Sequence, residues 1–507
     1  MMATTSTFSQ STPLTHGRDH DHDLDHDHDH DSIPLSSYKL PGFHPTAVNN
    51  GLPNLELAKL WARKLFQSLL FKRILSSLTP SYMTSRKNIS PSKPRKIRPT
   101  AYLDGIRGVA AFLVLLHHYI LDYFRTLQRG YLTLPGDTLL LQLPFVRILY
   151  SGRFMVSLFF VLSGYVLAHK PLQLIHDGNT AALLESLSSS VFRRSMRLFF
   201  PVVISSYIAM VLIHNGCYKP VRSPVSVPPI VPLGEQTAEW LSDLQGLVNP
   251  FTWARYSPIY AYQLWTLPIE FRGSFIVFIS LLGLAKAKTV VRMAFIGFLA
   301  LYCFYYSEHY YLTLFLAGIL LAESSHLQKG WNFSWDSIYD ARKVRIIKLA
   351  IRSCWTAVFL FSWFIACWPD HDAKKAPGYI SLASITPSQY ASQAGMTRFW
   401  TSIAAILMLT AMENNPVLQR PFTSNFAVYL GEISFSLYIV HTPLIHSIGR
   451  VITVKAIELT GMKVIGFLLG ASLVVPLVMW VADVYSRLVD TKSVELARWI
   501  WIKSCKA

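Results

Sequence analysis

Residues 102–123 read YLDGIRGVAAFLVLLHHYILDY. As an α-helix this stretch is about 33 Å long, enough to cross a hydrocarbon core of about 30 Å. Five ionisable residues interrupt it: Asp104, Arg107, His117, His118 and Asp122. A charged side chain inside a span costs about 2.5–3.5 kcal/mol on insertion scales, so each is a functional candidate by default. Arg107 and His118 stand eleven residues apart. That is three helical turns, so they share a face about 16 Å apart along the axis, while His117 points away from it.

Outward from this segment the sequence repeats the apolar pattern. Segments long enough to span fall at 103–124, 154–170, 198–215, 264–284, 289–306, 309–323, 346–368, 398–412, 428–447 and 463–488, of which 309–323 and 398–412 are short. The chain is 51% hydrophobic and 15% charged, against about 25% charged for soluble domains. The expected fold is therefore all-α: a polytopic membrane bundle of about ten transmembrane helices behind a disordered N-terminal tail. No internal repeat suggests an inverted-repeat transporter.

The net charge of +18 reads as topology. Lys and Arg crowd the ends of apolar stretches, as on cytosolic flanks of spanning helices, and no nucleic-acid-binding module is present. Ser85 to Thr100 holds six basic and no acidic residues, and Arg193, Arg194 and Arg197, then Lys286, Lys288 and Arg292, follow at alternate loops. Both termini are expected in the cytosol, with the protein in an endomembrane such as the endoplasmic reticulum or in the plasma membrane.

Four regions follow. Residues 1–50 are a His/Asp-rich tail that cannot build a core, 51–99 a basic and partly amphipathic cytosolic segment, 100–490 the membrane domain, and 491–507 a basic cytosolic tail. The five cysteines are widely spaced, giving neither a disulfide framework nor a metal pattern, so no metal is expected.

The polar residues inside the apolar segments suit acyl transfer. A neutral imidazole such as His118 can take a proton from an acceptor hydroxyl, and Asp122, four residues on, could orient its ring. The plain alternatives are that His118 bonds a neighbouring helix and that Arg107 reaches back to the interface. In FFVLSGYVLAHK, Ser163 and Gly164 permit close backbone approach and Tyr165 adds a polar tip, for a substrate or for helix packing. Arg193, Arg194 and Arg197 can bind phosphate oxygens bidentately, or mark a positive flank. In LWTLPIEFRGS, Glu270 must be paired or face a wet cavity. GEISFSLYIVHTPL adds Glu432 and His441, the latter a second candidate for the polar interior.

Together these motifs resemble the membrane acyltransferase-3 family. Arg107-x10-His118, FFVLSGYVL, the RRSMR cluster, LWTLPIEF and GEISFSLYIVHTPL occur in the family's order across residues 100–490. The FRGS wording and the long tail are similar to fungal members. The resemblance implies an O-acyltransferase that moves an acyl group, acetyl in the first instance, from acyl-CoA to a hydroxyl. By the same resemblance His118 is the catalytic histidine, Arg107 its partner and Glu270 the acidic position. Arg194 and Arg197 match an Arg-x-x-Arg step at the acyl-CoA, and Ser163, Gly164 and Tyr165 match the second-helix motif.

The implied partners are acyl-CoA as co-substrate, a hydroxyl acceptor and the lipid bilayer, with no tightly bound cofactor and no nucleic acid. Arg107 or a neighbouring donor is the candidate to stabilise the tetrahedral oxyanion. A covalent acyl-histidine gives the same product. The rival reading is a transporter or lipid-handling protein in which the buried Arg, His and Glu line an ion or substrate pathway.

Overall fold

The protein is represented by a computed structural model that describes residues 78–80, 100–218, 228–252, 255–306, 309–330 and 340–505. The chain divides into Met1–Ser68 and Leu69–Ala507, and all described residues belong to the second unit. The His/Asp-rich run and most of the basic segment expected at 51–99 lie outside the described residues.

The described elements are helical. They are α1 Ala101–Tyr123, α2 Gly152–His176, α3 Thr180–His214, α4 Leu233–Val248, α5 Thr266–Gly283, α6 Thr289–Tyr305 and α7 Tyr310–Gly330. After these come α8 Ala341–Ala366, α9 Gln393–Asn414, α10 Asn425–Leu444, α11 Arg450–Thr460, α12 Lys463–Tyr485 and α13 Thr491–Cys505. Each of the ten apolar segments of the sequence overlaps one of these helices, several running a few residues past its end. Among the described residues nine spans are long and apolar enough to cross a membrane, and α6, at 17 residues, is shorter. The segments read as short at 309–323 and 398–412 belong to full spans, Tyr310–Gln328 and Gln393–Asn414. The basic tail expected at 491–507 is helical over Thr491–Cys505.

Two close helix crossings set the position of the site. Helix α1 packs along α10, and α2 along α7. A Cβ at Gly108 would fall 2.2 Å from the Gly431 nitrogen, and one at Gly164 would fall 2.2 Å from the Phe315 carbonyl oxygen. Only glycine allows backbones this close, and in lipid such contacts drive helix association through packing and not through the hydrophobic effect. Exposed Leu, Phe and Val side chains on α6, α8 and α12 then face outward, where lipid replaces a protein core.

At the C-terminal end of α1, a clamp ties two connecting segments together. Arg147 is 1% exposed and reaches the Asp370 carboxylate at 3.0 Å, the Gln128 carbonyl at 3.2 Å and the Leu127 carbonyl. Arg153 meets the other oxygen of Asp370 at 3.0 Å. Burial alone would raise the Asp370 pKa, but Arg153 and Arg147 outweigh it and hold the carboxyl below its ordinary value. Nearby, the hydrogen bond from Arg129 keeps Asp137 low as well.

Candidate active site

The α1–α10 crossing, with α2, α3 and α5 beside it, encloses a cavity of about 270 Å³. Its wall includes Asp104 and Arg107 of α1, Ser163 of α2, Arg194 and Arg197 of α3, and Thr266 and Glu270 of α5. Glu432, Ser434 and Tyr438 of α10 close it, together with Asp490. Seven of the residues singled out in the sequence therefore meet in one place: Asp104, Arg107, Ser163, Arg194, Arg197, Glu270 and Glu432. Arg107 bonds Ser434 Oγ at 3.0 Å and the Gly431 carbonyl at 3.2 Å, and lies 3.4 Å from Asp104. It is held by α10, so it does not simply reach back to the interface.

Glu270 is paired across the cavity with Arg194, whose Nε also reaches Ser274 Oγ at 2.5 Å. Ser274 in turn donates to the Glu270 carbonyl at 2.6 Å. Glu270 follows Pro268 by two residues, in the first turn and a half of α5, which presents its carboxylate to α3. Both partners are largely shielded, at 15% and 17% side-chain exposure. Arg197 is more exposed and faces the cavity. Arg193 is exposed, outside the cavity wall, and bonds the Ser189 carbonyl at 3.2 Å.

The second-helix motif separates into three roles. Ser163 lines the cavity, Gly164 is the packing contact on Phe315, and Tyr165 turns away to bond Glu413 at 3.0 Å. Tyr102 of α1 bonds the other oxygen of Glu413. Glu413, which the sequence reading did not single out, thereby joins α1, α2 and α9.

His118 does not line this cavity. It stands toward the other end of α1, in a cluster of rings. Its Nδ1 lies 3.2 Å from the Tyr262 hydroxyl, and its ring centroid is 5.2 Å from that of His441. Among the described residues no group bonds its Nε2. His117 faces elsewhere, with Nδ1 2.7 Å from the Tyr150 carbonyl. Asp122 does not contact His118; its Oδ2 is 3.5 Å from Nδ1 of His446. The ring of His118 is held by Tyr262 instead, a residue whose sequence context offered no sign beyond its place just before LWTLPIEF.

One side chain links the two places. Tyr438 is on the cavity wall, and its ring centroid lies 5.9 Å from that of His441. Its hydroxyl is 2.5 Å from Thr266 Oγ1 and bonds the Gln263 carbonyl. The cavity and the histidine cluster are thus neighbours across one tyrosine. Among the described residues no group of His, Cys, Asp and Glu is arranged to hold a metal.

This arrangement can be set beside known proteins. The family model described as an acyltransferase domain, acyltransferase-3, matches residues 100–487. The O-acetyltransferase PaAT-1 of Phomopsis amygdali is 31% identical over 443 residues, covering 81% of this chain and 86% of the relative. Acyltransferase clz18 of Cochliobolus lunatus is 24% identical over 80% of this chain and 95% of its own. Acyltransferase R4 of a Phoma species is 27% identical over 70% of this chain and 85% of its own. No solved structure matches the chain. The motifs, the helical bundle and the match across nearly all of the membrane domain agree: the chain belongs to the acyltransferase-3 family and is a multi-pass membrane acyltransferase.

Proposed function

We propose that this acyltransferase moves an acyl group, acetyl in the first instance, from acyl-CoA to a hydroxyl, with His118 as general base. The observation that carries the reading is the tyrosine-held imidazole of His118 beside a cavity lined by Arg107, Arg194, Arg197 and Glu270. A cavity of about 270 Å³ is below the usual range for a drug-sized ligand, about 300–1,000 Å³. In this reading it takes the acyl-pantetheine arm, with the nucleotide phosphates left at the rim. Arg197 and Arg193, both exposed on α3, supply cations there, and guanidinium groups bind phosphate bidentately.

The Tyr262 contact is compatible with the tautomer that the reaction needs. With Nδ1–H donating to the tyrosine oxygen, the Nε2 lone pair is free to accept the acceptor's proton. The hydroxyl oxygen then attacks the thioester carbonyl as its proton passes to Nε2. The tetrahedral oxyanion collapses, the C–S bond breaks, and the coenzyme A thiolate takes the proton back from the imidazolium. Ester and free coenzyme A leave, and His118 is neutral again.

About 16 Å of helix separates Arg107 from His118. Arg107, bonded to α10, accordingly serves the donor, and the oxyanion is met by a donor nearer His118. The N-terminal ends of α1 and α10 face the cytosol in this reading, so acyl-CoA enters there and both termini are cytosolic, in the endoplasmic reticulum or plasma membrane. Purified protein given radiolabelled acetyl-CoA and an extract of candidate acceptors tests the reading through coenzyme A release and label in an ester. Failure of the folded protein to bind acetyl-CoA or longer acyl-CoAs would sink it.

A further inference from the structure

Beyond His118, on the side away from the donor cavity, lies a pair of groups that the proposed reaction does not use. Asp122 is one turn past His118 on α1, about 6 Å along the axis. Its Oδ2 sits 3.5 Å from Nδ1 of His446, too far or too poorly aligned for a hydrogen bond. Arg125 and Arg450 provide the positive charge near Asp122.

His446 is 1% exposed, and neither ring nitrogen has a hydrogen-bond partner among the described residues. Asp122 Oδ2 is buried and unbonded too, as are Nε2 of His441 and Oε1 of Gln263. Nearly all buried polar groups in proteins are bonded, and leaving one unpaired costs about 1–3 kcal/mol. Asp122 and His446 are thus buried side chains brought within 3.5 Å of each other, and the facing Oδ2 and Nδ1 atoms carry no hydrogen bond among the described residues.

The backbone is shaped to present this pair. After Pro443, α10 gives way to a π-helical turn at Ile445–Gly449, and α11 follows directly. Single π turns are rare and recur at functional sites. Here the wider turn sets His446 in the same ring cluster as His118: the His446 centroid is 6.1 Å from Tyr262, and Tyr262 is 5.6 Å from His118. Tyr262 is therefore the wall shared by the two.

The chemistry of the pair selects its ligand. An ionised carboxylate only accepts hydrogen bonds, and a neutral imidazole has one N–H donor and one acceptor. A ligand group that donates to Asp122 and accepts from His446 satisfies both at once, and a hydroxyl does this. A carbonyl or ether only accepts and an ammonium only donates, so none of them serves both. We propose that His446 and Asp122 bind a second hydroxyl of the acceptor, so that the substrate is a diol or polyol with two hydroxyls within about 6 Å, and not a lone alcohol.

The proposal rests on the acyl-transfer reading, and the test separates the two. Full-length protein would be given acetyl-CoA with cyclohexanol or with the cyclohexanediols carrying adjacent, alternate or opposite hydroxyls. Coenzyme A release is measured for wild type, Asp122→Asn and His446→Phe. The readout is the ratio of diol to mono-alcohol rate within each protein, which is insensitive to the fraction folded.

The wild type should favour at least one diol by about tenfold, since a site built for a hydroxyl rejects the analogue lacking it. In both variants the ratio should fall to about twofold, the statistical value for two equivalent hydroxyls. A wild-type ratio near two, or a preference that survives both substitutions, overturns the subsite. Absence of release in the wild type with every alcohol and with the acceptor extract as well refutes acyl transfer to hydroxyls itself, and the subsite falls with it.

Discussion

Replacing Tyr262 by phenylalanine isolates what a single oxygen does for the proposed base. Phenylalanine keeps the ring that meets His118 at 5.6 Å and His446 at 6.1 Å, so packing is retained. What is lost is the 3.2 Å contact between the hydroxyl and Nδ1 of His118. A neutral hydrogen bond contributes about 0.5–1.5 kcal/mol net, and each 1.36 kcal/mol in a barrier is tenfold in rate. If that bond holds His118 in the tautomer whose Nε2 is basic, kcat should fall by about two- to thirteenfold. The KM for acyl-CoA should stay the same, because the donor cavity does not include Tyr262. Steady-state coenzyme A release over a range of acyl-CoA concentrations gives both numbers. An unchanged kcat, or a loss seen mainly in KM, would refute the claim that Tyr262 acts through His118.

The Arg194–Glu270 pair makes a prediction about stability. Removing one partner of a shielded ion pair strands the other and typically costs about 3–5 kcal/mol, whereas replacing both by apolar groups can be nearly neutral. Arg194→Met alone should therefore lower the melting temperature in detergent more than Arg194→Met with Glu270→Leu; equal losses would mean that the pair is not coupled. The Asp370 clamp predicts a pH response. Its folded pKa is depressed, so its stabilisation is complete above the unfolded value of about 3.9 and is lost as pH falls through the lower folded value. Wild type should lose stability relative to Asp370→Asn as pH drops below about 4, and parallel melting curves would contradict this.

The sequence made the bundle legible because lipid leaves little choice. A span must be apolar for about 20 residues and hold its own backbone bonds, so composition alone places the helices. Where the reading was thin, at 309–323 and 398–412, polar residues such as Thr313, Thr401 and Thr410 dilute the pattern. These threonines bond backbone carbonyls, Thr313 that of Ala300 and Thr401 and Thr410 those within their own helix. The donor cavity was legible in part: Arg107, Ser163, Arg194, Arg197 and Glu270 do meet.

Partnerships across the bundle were not legible. Spacing along α1 suggested Asp122 for His118, since it is one turn away, but a side chain one turn off competes with groups delivered by other helices. Tyr262 and His446 arrive from more than 140 residues away in the chain. The π turn that presents His446 has no periodic signature in sequence beyond the preceding Pro443. Gly164 and Tyr165 are likewise decided by neighbours, Phe315 and Glu413, that a local motif does not name.

If His118 is the base that activates the acceptor hydroxyl, His118→Ala separates donor binding from turnover. Acetyl-CoA binding is measured by calorimetry and turnover by coenzyme A release, on the same folded preparations. Binding should be unchanged, because His118 lies outside the donor cavity, and kcat should fall by at least about a hundredfold, the lower end for a general base. Turnover within about threefold of wild type would contradict it, since one hydrogen bond is enough to account for so small a loss.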